Sequence, residues 1–234
     1  MRTKISILLF ILFFTGISTY AQGRKEKNQP YIDQKMYHLG FLVGIHGQDM
    51  NIMHTGFESS GEVWFAGLPS YSAGFSVGII GDRYINEHFN IRLPPTLHFG
   101  EKNIVFKEQT TGTEYKTTLR CNYLTMPLQI KFNAGRIDNY RPYLTMGGYA
   151  SMNITPKKNE ALRLKPFDYG LEFGLGCNFY LPMFKLCPEL KFSLGLADVI
   201  DKDRSDLSDK EMLKYTQSIS SGKNRMISLV FNFE

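Results

Sequence analysis

The chain is dominated by short segments in which apolar and polar residues alternate with a period of two. The last of them reads RMISLVFNFE, in which every second side chain is apolar up to Phe233. A period of two indicates a β-strand with one apolar face. Eight such segments follow one another between residues 36 and 234, and this pattern predicts an all-β protein.

The apolar face of each segment has about the length that a tilted strand needs to cross a bilayer. A soluble sandwich leaves its polar face in water, whereas an eight-stranded barrel encloses that face in an interior just wide enough for side chains. Six charged side chains lie on the polar faces and form a candidate interior network: Arg92, Lys131, Asp168, Glu172, Glu189 and Lys191. Because an unpaired charge in a narrow interior is costly, we expect these residues to pair with one another as filling, rather than to line a selective passage or a ligand site.

The connections between the segments alternate strictly between long and short. The short ones are DRYINE, AGRIDNYR and PMF, and the longest connection spans about residues 198–223. Outer-membrane barrels have long extracellular loops and short periplasmic turns, and an even number of strands places both termini in the periplasm. The sequence therefore predicts an eight-stranded antiparallel up-and-down transmembrane β-barrel in the outer membrane, whose last strand pairs with the first.

The start of the chain is a separate element. Two basic residues precede an apolar run from Ile5 to Phe14, and the small residues Thr19 and Ala21 stand just before Gln22. This pattern is typical of a cleavable secretory signal peptide. We expect three parts: a signal peptide over residues 1–21, a short flexible periplasmic lead over residues 22–35 and an outer-membrane β-barrel domain over residues 36–234.

Composition and charge narrow the possible partners. The hydrophobic share of 43% and the aromatic share of 14% differ from those of a disordered chain. The formal net charge is +5, and it falls to +3 (5 − 2) without the two basic residues of the signal peptide. The remaining charges are scattered, so a nucleic-acid partner is not indicated. Cys121, Cys177 and Cys187 lack the spacing of a zinc or redox motif, and we expect free thiols.

The first long loop and the strand before it contain residue types that can build an acyl-transfer site: His46, Asp49, His54, Ser59 and Ser60. Their spacing requires no such site, since solvated loops collect the same residue types. His46, His54 and His98 can bind a metal only if the fold brings them together. We therefore assign no catalytic residue, no cofactor and no metal.

Two local features give further predictions. Pro94 and Pro95 interrupt the third segment, and because proline cannot donate a ladder hydrogen bond, they predict a bulge or a strained position. Trp64, with Phe65 and Tyr71, is placed to form an aromatic belt at the membrane interface.

Three stretches together resemble the PorT (SprT) family of Bacteroidota: NIRLPPTLHFGEK (residues 90–102), LTMPLQIKFNAGRIDNYRPYLTMGG (124–148) and YGLEFGLGCNFYL (169–181). The likeness covers most of the mature chain in the same order, although Pro94-Pro95 departs from the pattern expected of the family. The resemblance implies a non-enzymatic outer-membrane component of the type IX protein secretion and gliding motility machinery, which supports the assembly or operation of the translocon.

The implied partners are other outer-membrane and periplasmic components of the secretion complex. Outer-membrane lipid is a further expected partner, as is the barrel-assembly machinery, which the terminal strand with its final aromatic residue would engage. Small outer-membrane barrels in general share the alternation and the RPYL-type strand. A generic structural or adhesive barrel is therefore the alternative, and a barrel acyltransferase or hydrolase is a further one.

Overall fold

The computed structural model describes residues 27–56, 58–59, 62–67, 72–109, 112–155, 162–202 and 213–234, so the predicted signal peptide lies outside the described residues. A short 3-10 helix (Ile32–Gln34) comes first, and one short α-helix, α1 (Leu213–Gln217), precedes the last strand. The strands are β1 (Tyr37–His54), β2 (Glu58–Ser59), β3 (Glu62–Gly67), β4 (Ser72–Tyr84), β5 (Phe89–Leu93), β6 (Thr96–Phe99), β7 (Glu101–Glu108), β8 (Glu114–Arg120), β9 (Tyr123–Asn133), β10 (Tyr140–Asn153), β11 (Phe167–Tyr180), β12 (Lys185–Gly195) and β13 (Ile219–Phe233).

A closed antiparallel ring is the main feature of the fold. Its order is β1, β4, β5 with β6, β9, β10, β11, β12 and β13, and β13 pairs back onto β1. Since β5 and β6 are the two halves of one strand, the ring has eight strands. The closing seam is long, because β1 pairs with β13 from Phe41↔Phe233 to His54↔Ile219. The predicted eight-stranded antiparallel barrel is confirmed.

The two prolines divide the third strand of the ring without producing a bulge. The pairing of β5 and β6 with β4 keeps one register, from Gly81↔Leu93 to Gly78↔Thr96. Pro94 and Pro95 have no N–H to donate, but the carbonyl oxygen of Pro95 still accepts a hydrogen bond of 3.1 Å from the Ile79 N–H. The predicted bulge is therefore wrong: extended prolines fit the strand and only remove donors from the ladder.

The wall of the barrel is apolar on the outside and polar on the inside. The predicted outward residues of the strands, such as Leu39, Met126 and Leu175, are exposed, and their sequence neighbours are buried in the lumen. Three inward apolar residues, Leu42, Ile80 and Val230, form a small cluster of their own. Within the described residues, no helix is long and apolar enough to span a membrane.

The two ends of the barrel differ. At one end, here called the turn end, the connections are short: residues 85–88, 134–139 and 181–184. At the other, the loop end, β7 and β8 form a hairpin above the ring, and β3 and β2 extend it to a four-stranded sheet. Above the lumen this sheet covers a second core, the apolar cap: Met50, Trp64, Ala66, Ile104, Phe106, Leu119, Cys121, Tyr123, Leu162, Val199, Ile200 and Ile219.

Trp64 is not part of an interfacial belt, contrary to the sequence-based expectation. It is buried in the apolar cap, where its ring meets Tyr215 edge to face at 5.0 Å between centroids. The reason is that β3 lies above the ring, so that its side chains face the cap and the solvent in turn. Phe65 is on the solvent side. Tyr71 lies outside the described residues. An aromatic girdle does exist at the turn end, on the outward faces of the strands: Tyr37, Phe89, Phe132, Tyr140, Phe179 and Phe233.

The part of the lead that the structure describes, residues 27–35, folds across the mouth of the barrel at the turn end together with Met36. Asn28 donates from its side chain to the Tyr180 carbonyl oxygen at 2.9 Å, and its N–H donates to Asn139 Oδ1 at 2.8 Å. The Tyr84 N–H donates to the Met36 carbonyl oxygen at 3.0 Å. Polar composition predicted a flexible segment, but turn residues of the barrel supply fixed hydrogen-bond partners for this part of it.

Candidate functional site

The turn half of the lumen is filled by a buried group of charged side chains, here called the ionic plug: Asp82, Arg92, Lys131, Lys185, Glu189 and Glu234. Arg92 is its centre, because each of its three guanidinium nitrogens meets a different carboxylate. Nε lies 3.2 Å from Asp82, Nη1 lies 3.2 Å from Glu189, and Nη2 pairs with Glu234. The plug holds three cations and three anions, so its formal charges cancel.

Neutral side chains complete the coordination of the plug. Glu189 accepts hydrogen bonds from the Tyr143 hydroxyl at 3.0 Å and from Thr145 Oγ1 at 2.8 Å. The ammonium group of Lys131 lies 4.3 Å from the centre of the Tyr143 ring. Arg92, Lys131 and Glu189 are each about 1% exposed, so these side chains fill the lumen at this level. A buried charge group of this kind is tolerated because its members of opposite sign pair with one another.

Inward glycines make room for these large side chains. A methyl group at Gly174 would lie 2.4 Å from Glu189 Oε1, and one at Gly176 would lie 2.3 Å from the Tyr143 ring. These distances are too short for non-bonded contact, so β11 needs its alternating glycines to fit the plug. The GLEFGLG pattern of the sequence thus records the close approach of bulky partners from β10 and β12.

A second polar group lies between the plug and the apolar cap. Glu172 accepts from Gln129 Nε2 at 2.7 Å and from Ser193 Oγ at 3.0 Å, and the Lys191 ammonium lies 4.0 Å away. Lys102 donates to Asn224 Oδ1 at 2.6 Å, and Asn224 Nδ2 in turn donates to Asp168 at 2.8 Å. The formal charges of this second group therefore also cancel, because it contains two lysines and two carboxylates.

Two histidines and a serine form a chain of hydrogen bonds in the same region. Gln48 Nε2 lies 2.9 Å from His46 Nε2, His46 Nδ1 lies 2.7 Å from Ser76 Oγ, and Ser76 Oγ lies 2.8 Å from His98 Nδ1. Because the amide donates to His46 Nε2, His46 holds its proton on Nδ1 and donates to Ser76, which donates to His98. All four side chains are buried, so this serine is a structural link rather than an accessible nucleophile.

A small cavity separates the polar groups from the cap. Its volume is about 40 Å³, and its lining includes Gln48, His98, Lys102, Asp168 and Glu172. That volume has room for about three water molecules. It is too small for an organic ligand, since pockets for such ligands have volumes of at least roughly 300 Å³.

At the turn end, a cluster of four side chains holds the lead against the barrel. We call this cluster the lock; its members are Asp33, Arg136, Arg141 and Tyr180. The Tyr180 hydroxyl donates to the Asp33 carboxylate, whose two oxygens lie 2.7 and 2.9 Å from it. The same carboxylate lies 3.4 Å from Arg141 and 3.7 Å from Arg136. The Arg136 guanidinium stacks over the Tyr180 ring at 3.6 Å and donates to the Gln29 carbonyl oxygen at 3.2 Å. Both arginines come from the AGRIDNYRPYL stretch of the sequence, whose short turn therefore holds the lead in place.

The structure places all six sequence-predicted charged residues in the lumen, but in two groups. Arg92, Lys131 and Glu189 belong to the plug, whereas Asp168, Glu172 and Lys191 belong to the upper group. Sequence reasoning missed four members of these groups: Asp82, Lys102, Lys185 and Glu234. The period of two, extended to the ends of β4, β12 and β13, would have placed Asp82, Lys185 and Glu234 inside. Lys102 gave no signal, because it follows the end of the third alternating segment, which stops at Phe99.

The residues considered for catalysis do not form one site. His46 and Asp49 are on opposite faces of β1: His46 points into the lumen, and Asp49 pairs with Arg225 at 2.9 Å on the outside. His54 lies 2.7 Å from the Ala66 carbonyl oxygen. The Ser59 side chain and Ser60 lie outside what the structure describes. Across the described residues, no three His, Cys, Asp or Glu side chains gather as metal ligands.

The closed ring, the apolar wall and the polar lumen together define a β-barrel of the outer membrane. A family model for the outer membrane protein beta-barrel domain matches residues 20–201. The chain belongs to that family. The comparison with curated proteins gave no match.

Solved outer-membrane proteins resemble the chain in fold. OprG from Pseudomonas aeruginosa is 12% identical, with 84% of this chain and 91% of that chain covered and a TM-score of 0.42. The N-terminal β-barrel domain of Pseudomonas aeruginosa OprF is 11% identical, with 83% and 97% covered and a TM-score of 0.35. Ail of Yersinia pestis is 10% identical, with 85% and 98% covered and a TM-score of 0.35.

Proposed function

We propose that this barrel is a non-enzymatic component of the type IX protein secretion and gliding motility machinery, similar to PorT. In that role it supports the assembly or operation of the translocon rather than conducting a solute. The observation that carries the proposal is the ionic plug: Arg92 and its three carboxylate partners fill the lumen. A barrel without a water-wide passage acts through its surfaces, and the resemblance of its sequence to PorT supplies the identity of the system.

In this proposal the short turns and both termini face the periplasm, as in other outer-membrane barrels. The surfaces left for other components of the secretion complex are the lead, the turns and the lipid-facing wall. The lock around Asp33 supports a role for the lead, because it gives residues 27–35 a defined shape at the turn end.

A deletion strain tests the proposal. We expect loss of export of proteins that carry the type IX C-terminal signal, and loss of gliding where the strain glides, with both restored by the wild-type gene. Detergent sensitivity, measured in parallel, separates a specific export defect from a weakened outer membrane. Intact export without the protein would refute the secretion role.

A generic structural or adhesive barrel is the second candidate. The four-stranded sheet at the loop end favours it, since a folded sheet above the ring offers a fixed surface to the outside. This candidate predicts normal export in the deletion strain and altered surface attachment or barrier function.

A barrel acyltransferase or hydrolase is a further candidate. It predicts that the triple change His46→Ala, Asp49→Ala and Ser59→Ala abolishes complementation of the deletion strain. Full complementation by that variant would remove the enzyme hypothesis.

A further inference from the structure

Within the described part of the chain, β8 is the outer strand of the loop-end sheet and pairs on one side only. On that side it meets β7 over its whole length. On the other side, the pairing of β10 with β9 stops at Tyr123↔Asn153, where β9 begins. The edge of β8 therefore presents a row of N–H and carbonyl groups that no described strand uses. Such an edge is a template for pairing with another chain.

The hydrogen-bonding groups of this edge belong to alternate residues. At the two ends of the hairpin, the Cys121 N–H donates to the Gly100 carbonyl oxygen at 2.8 Å and the Glu108 N–H donates to the Thr113 carbonyl oxygen at 3.0 Å. Since hydrogen-bonded pairs recur at every second residue of an antiparallel ladder, the odd-numbered residues of β8 direct their backbone groups to β7. The even-numbered residues direct theirs to the open edge: Glu114, Lys116, Thr118 and Arg120.

The sequence of β8, EYKTTLR, is complementary to itself when a second copy runs antiparallel with Thr117 opposite Thr117. Glu114 then lies opposite Arg120 of the second copy, and Arg120 lies opposite Glu114. Lys116 lies opposite Thr118. Because every even-numbered residue faces an even-numbered residue, the N–H and carbonyl groups of the two open edges meet as hydrogen-bonded pairs over the whole strand.

The neighbouring strand extends this complementarity. Glu101 of β7 lies opposite Arg120, with 3.4 Å between its carboxylate and the Arg120 Nε, and Lys107 lies opposite Glu114. Across two joined sheets, one row of exposed side chains therefore alternates in sign: Glu101, Arg120, then Glu114 and Lys107 of the second copy. The two-fold axis produces this row twice. Opposite charges that face each other on adjacent strands stabilise a sheet.

The charges also select one register. A shift by two residues in one direction places Lys116 opposite Lys116, and a shift in the other direction places Lys116 opposite Arg120. Like charges directly opposite each other destabilise a sheet. Lysine on an edge strand serves to discourage unwanted pairing, and here it excludes the shifted registers while the full-length register stays open.

We propose that two copies of this chain associate through β8, with the two strands antiparallel and related by a two-fold axis at Thr117. The pairing joins the two four-stranded sheets edge to edge at the loop ends of the barrels. The occupant is a second copy, because β8 itself supplies the charges and the spacing that complete its own edge. The same patch then serves both chains, as in any isologous interface.

Disulfide formation at Thr117 tests the register. Thr117 lies on the two-fold axis and is half-buried, so the thiols of Thr117→Cys in two copies face each other within bonding range. The full-length protein is purified in detergent, checked for the gel mobility of the folded barrel and oxidised. On a non-reducing gel we expect at least about ten times more covalent dimer than in the controls. Wild type controls for the three native cysteines, and Lys107→Cys, exposed but far from the axis, controls for random collision.

Exchange of charges separates pairing from an effect on folding. Glu114→Arg and Arg120→Glu are each combined with Thr117→Cys. Two identical chains of either variant oppose like charges twice, so we expect about tenfold less covalent dimer than with Thr117→Cys alone. In an equal mixture, every opposed pair again has opposite signs. The dimer of unlike chains, captured through a tag on one of them, is expected to return to the level of Thr117→Cys.

Three results would overturn the proposal: no covalent dimer of folded Thr117→Cys, equal yields for Thr117→Cys and Lys107→Cys, or no recovery in the mixture. Sedimentation of the wild-type protein in detergent needs no substitution, and we expect a dimer that forms as the concentration rises. A monomer at every concentration would also refute the proposal and would leave the edge of β8 to a different chain.

Discussion

The two halves of the barrel interior are closed by opposite chemistry. In the turn half, Arg92 gathers three carboxylates in the ionic plug. At the loop end, Trp64 and Phe106 meet the ring of Tyr215 in the apolar cap, at centroid distances of 5.0 and 4.9 Å. One polypeptide thus buries charge at one end and aromatic carbon at the other.

The difference follows from what surrounds each half. Within the membrane the outer wall faces lipid, so strand alternation sends every polar side chain inward, where charges must find partners. Above the ring no lipid is present, and the loops bury their apolar residues as a soluble domain does. The boundary between the charged lumen and the apolar cap is the small cavity beside Lys102 and Asp168.

The sharpest way to break this comparison is to remove the centre of the plug. Arg92→Leu leaves Asp82, Glu189 and Glu234 buried without their common partner. We expect a loss of about 3–5 kcal/mol in the free energy of unfolding, because an uncompensated buried charge is left behind. Urea titration followed by gel mobility of the folded and unfolded forms measures this loss.

The matched control for the plug is an ion pair on the surface. Arg225 pairs with Asp49 at 2.9 Å on the outside of the barrel, where the Arg225 side chain is 46% exposed. Arg225→Leu is expected to change stability by about 1 kcal/mol or less. Equal losses for Arg92→Leu and Arg225→Leu would show that the plug does not hold the barrel together.

The corresponding change in the cap is Phe106→Ala, which removes a fully buried aromatic ring. We expect the free energy of unfolding of the loop end to fall by about 3 kcal/mol, because buried apolar atoms are removed and a cavity is left behind. Trp64 fluorescence reports the cap and gel mobility reports the barrel, so the two transitions separate in the variant. Simultaneous unfolding by both probes would mean that the cap and the ring form one cooperative unit.

Lys102 connects the two halves and gives a smaller, pH-dependent effect. It is outside the ring strands, in β7, and burial lowers its pKa below the ordinary 10.5, while Cys121 and Asp168 act in the opposite direction. Because the unfolded chain binds more protons between the lowered pKa and 10.5, stability rises with pH across that window. We expect Lys102→Met to flatten the rise, measured by Trp64 fluorescence. Lys107→Met, an exposed neighbour in the same strand, is expected to leave the slope unchanged.

The sequence predicted the ring well and the closures at its ends poorly. Alternation defines which face of a strand meets lipid, so residues such as Leu175 and Glu172 were assigned to the correct sides from their position alone. The lock of Asp33 with Arg136 and Arg141 joins residues more than a hundred positions apart, and no local period encodes such a contact. The burial of Trp64 depends in the same way on a sheet formed by two different loops.

The smallest expected effect concerns the lock at the turn end. Asp33→Ala removes the contacts with Tyr180, Arg136 and Arg141, which lie at a half-open mouth rather than in the closed lumen. We therefore expect a loss of about 1 kcal/mol, limited to the lead. Trypsin cleavage after Lys35, followed by mass spectrometry, is expected to accelerate while gel mobility of the barrel stays unchanged. Glu87→Ala, at an exposed turn position of the same end, controls for a general effect of charge. If cleavage after Lys35 is equally slow in Asp33→Ala and wild type, the remaining hydrogen bonds of the lead, which include those of Asn28, Met36 and Arg136, hold it without the Asp33 carboxylate.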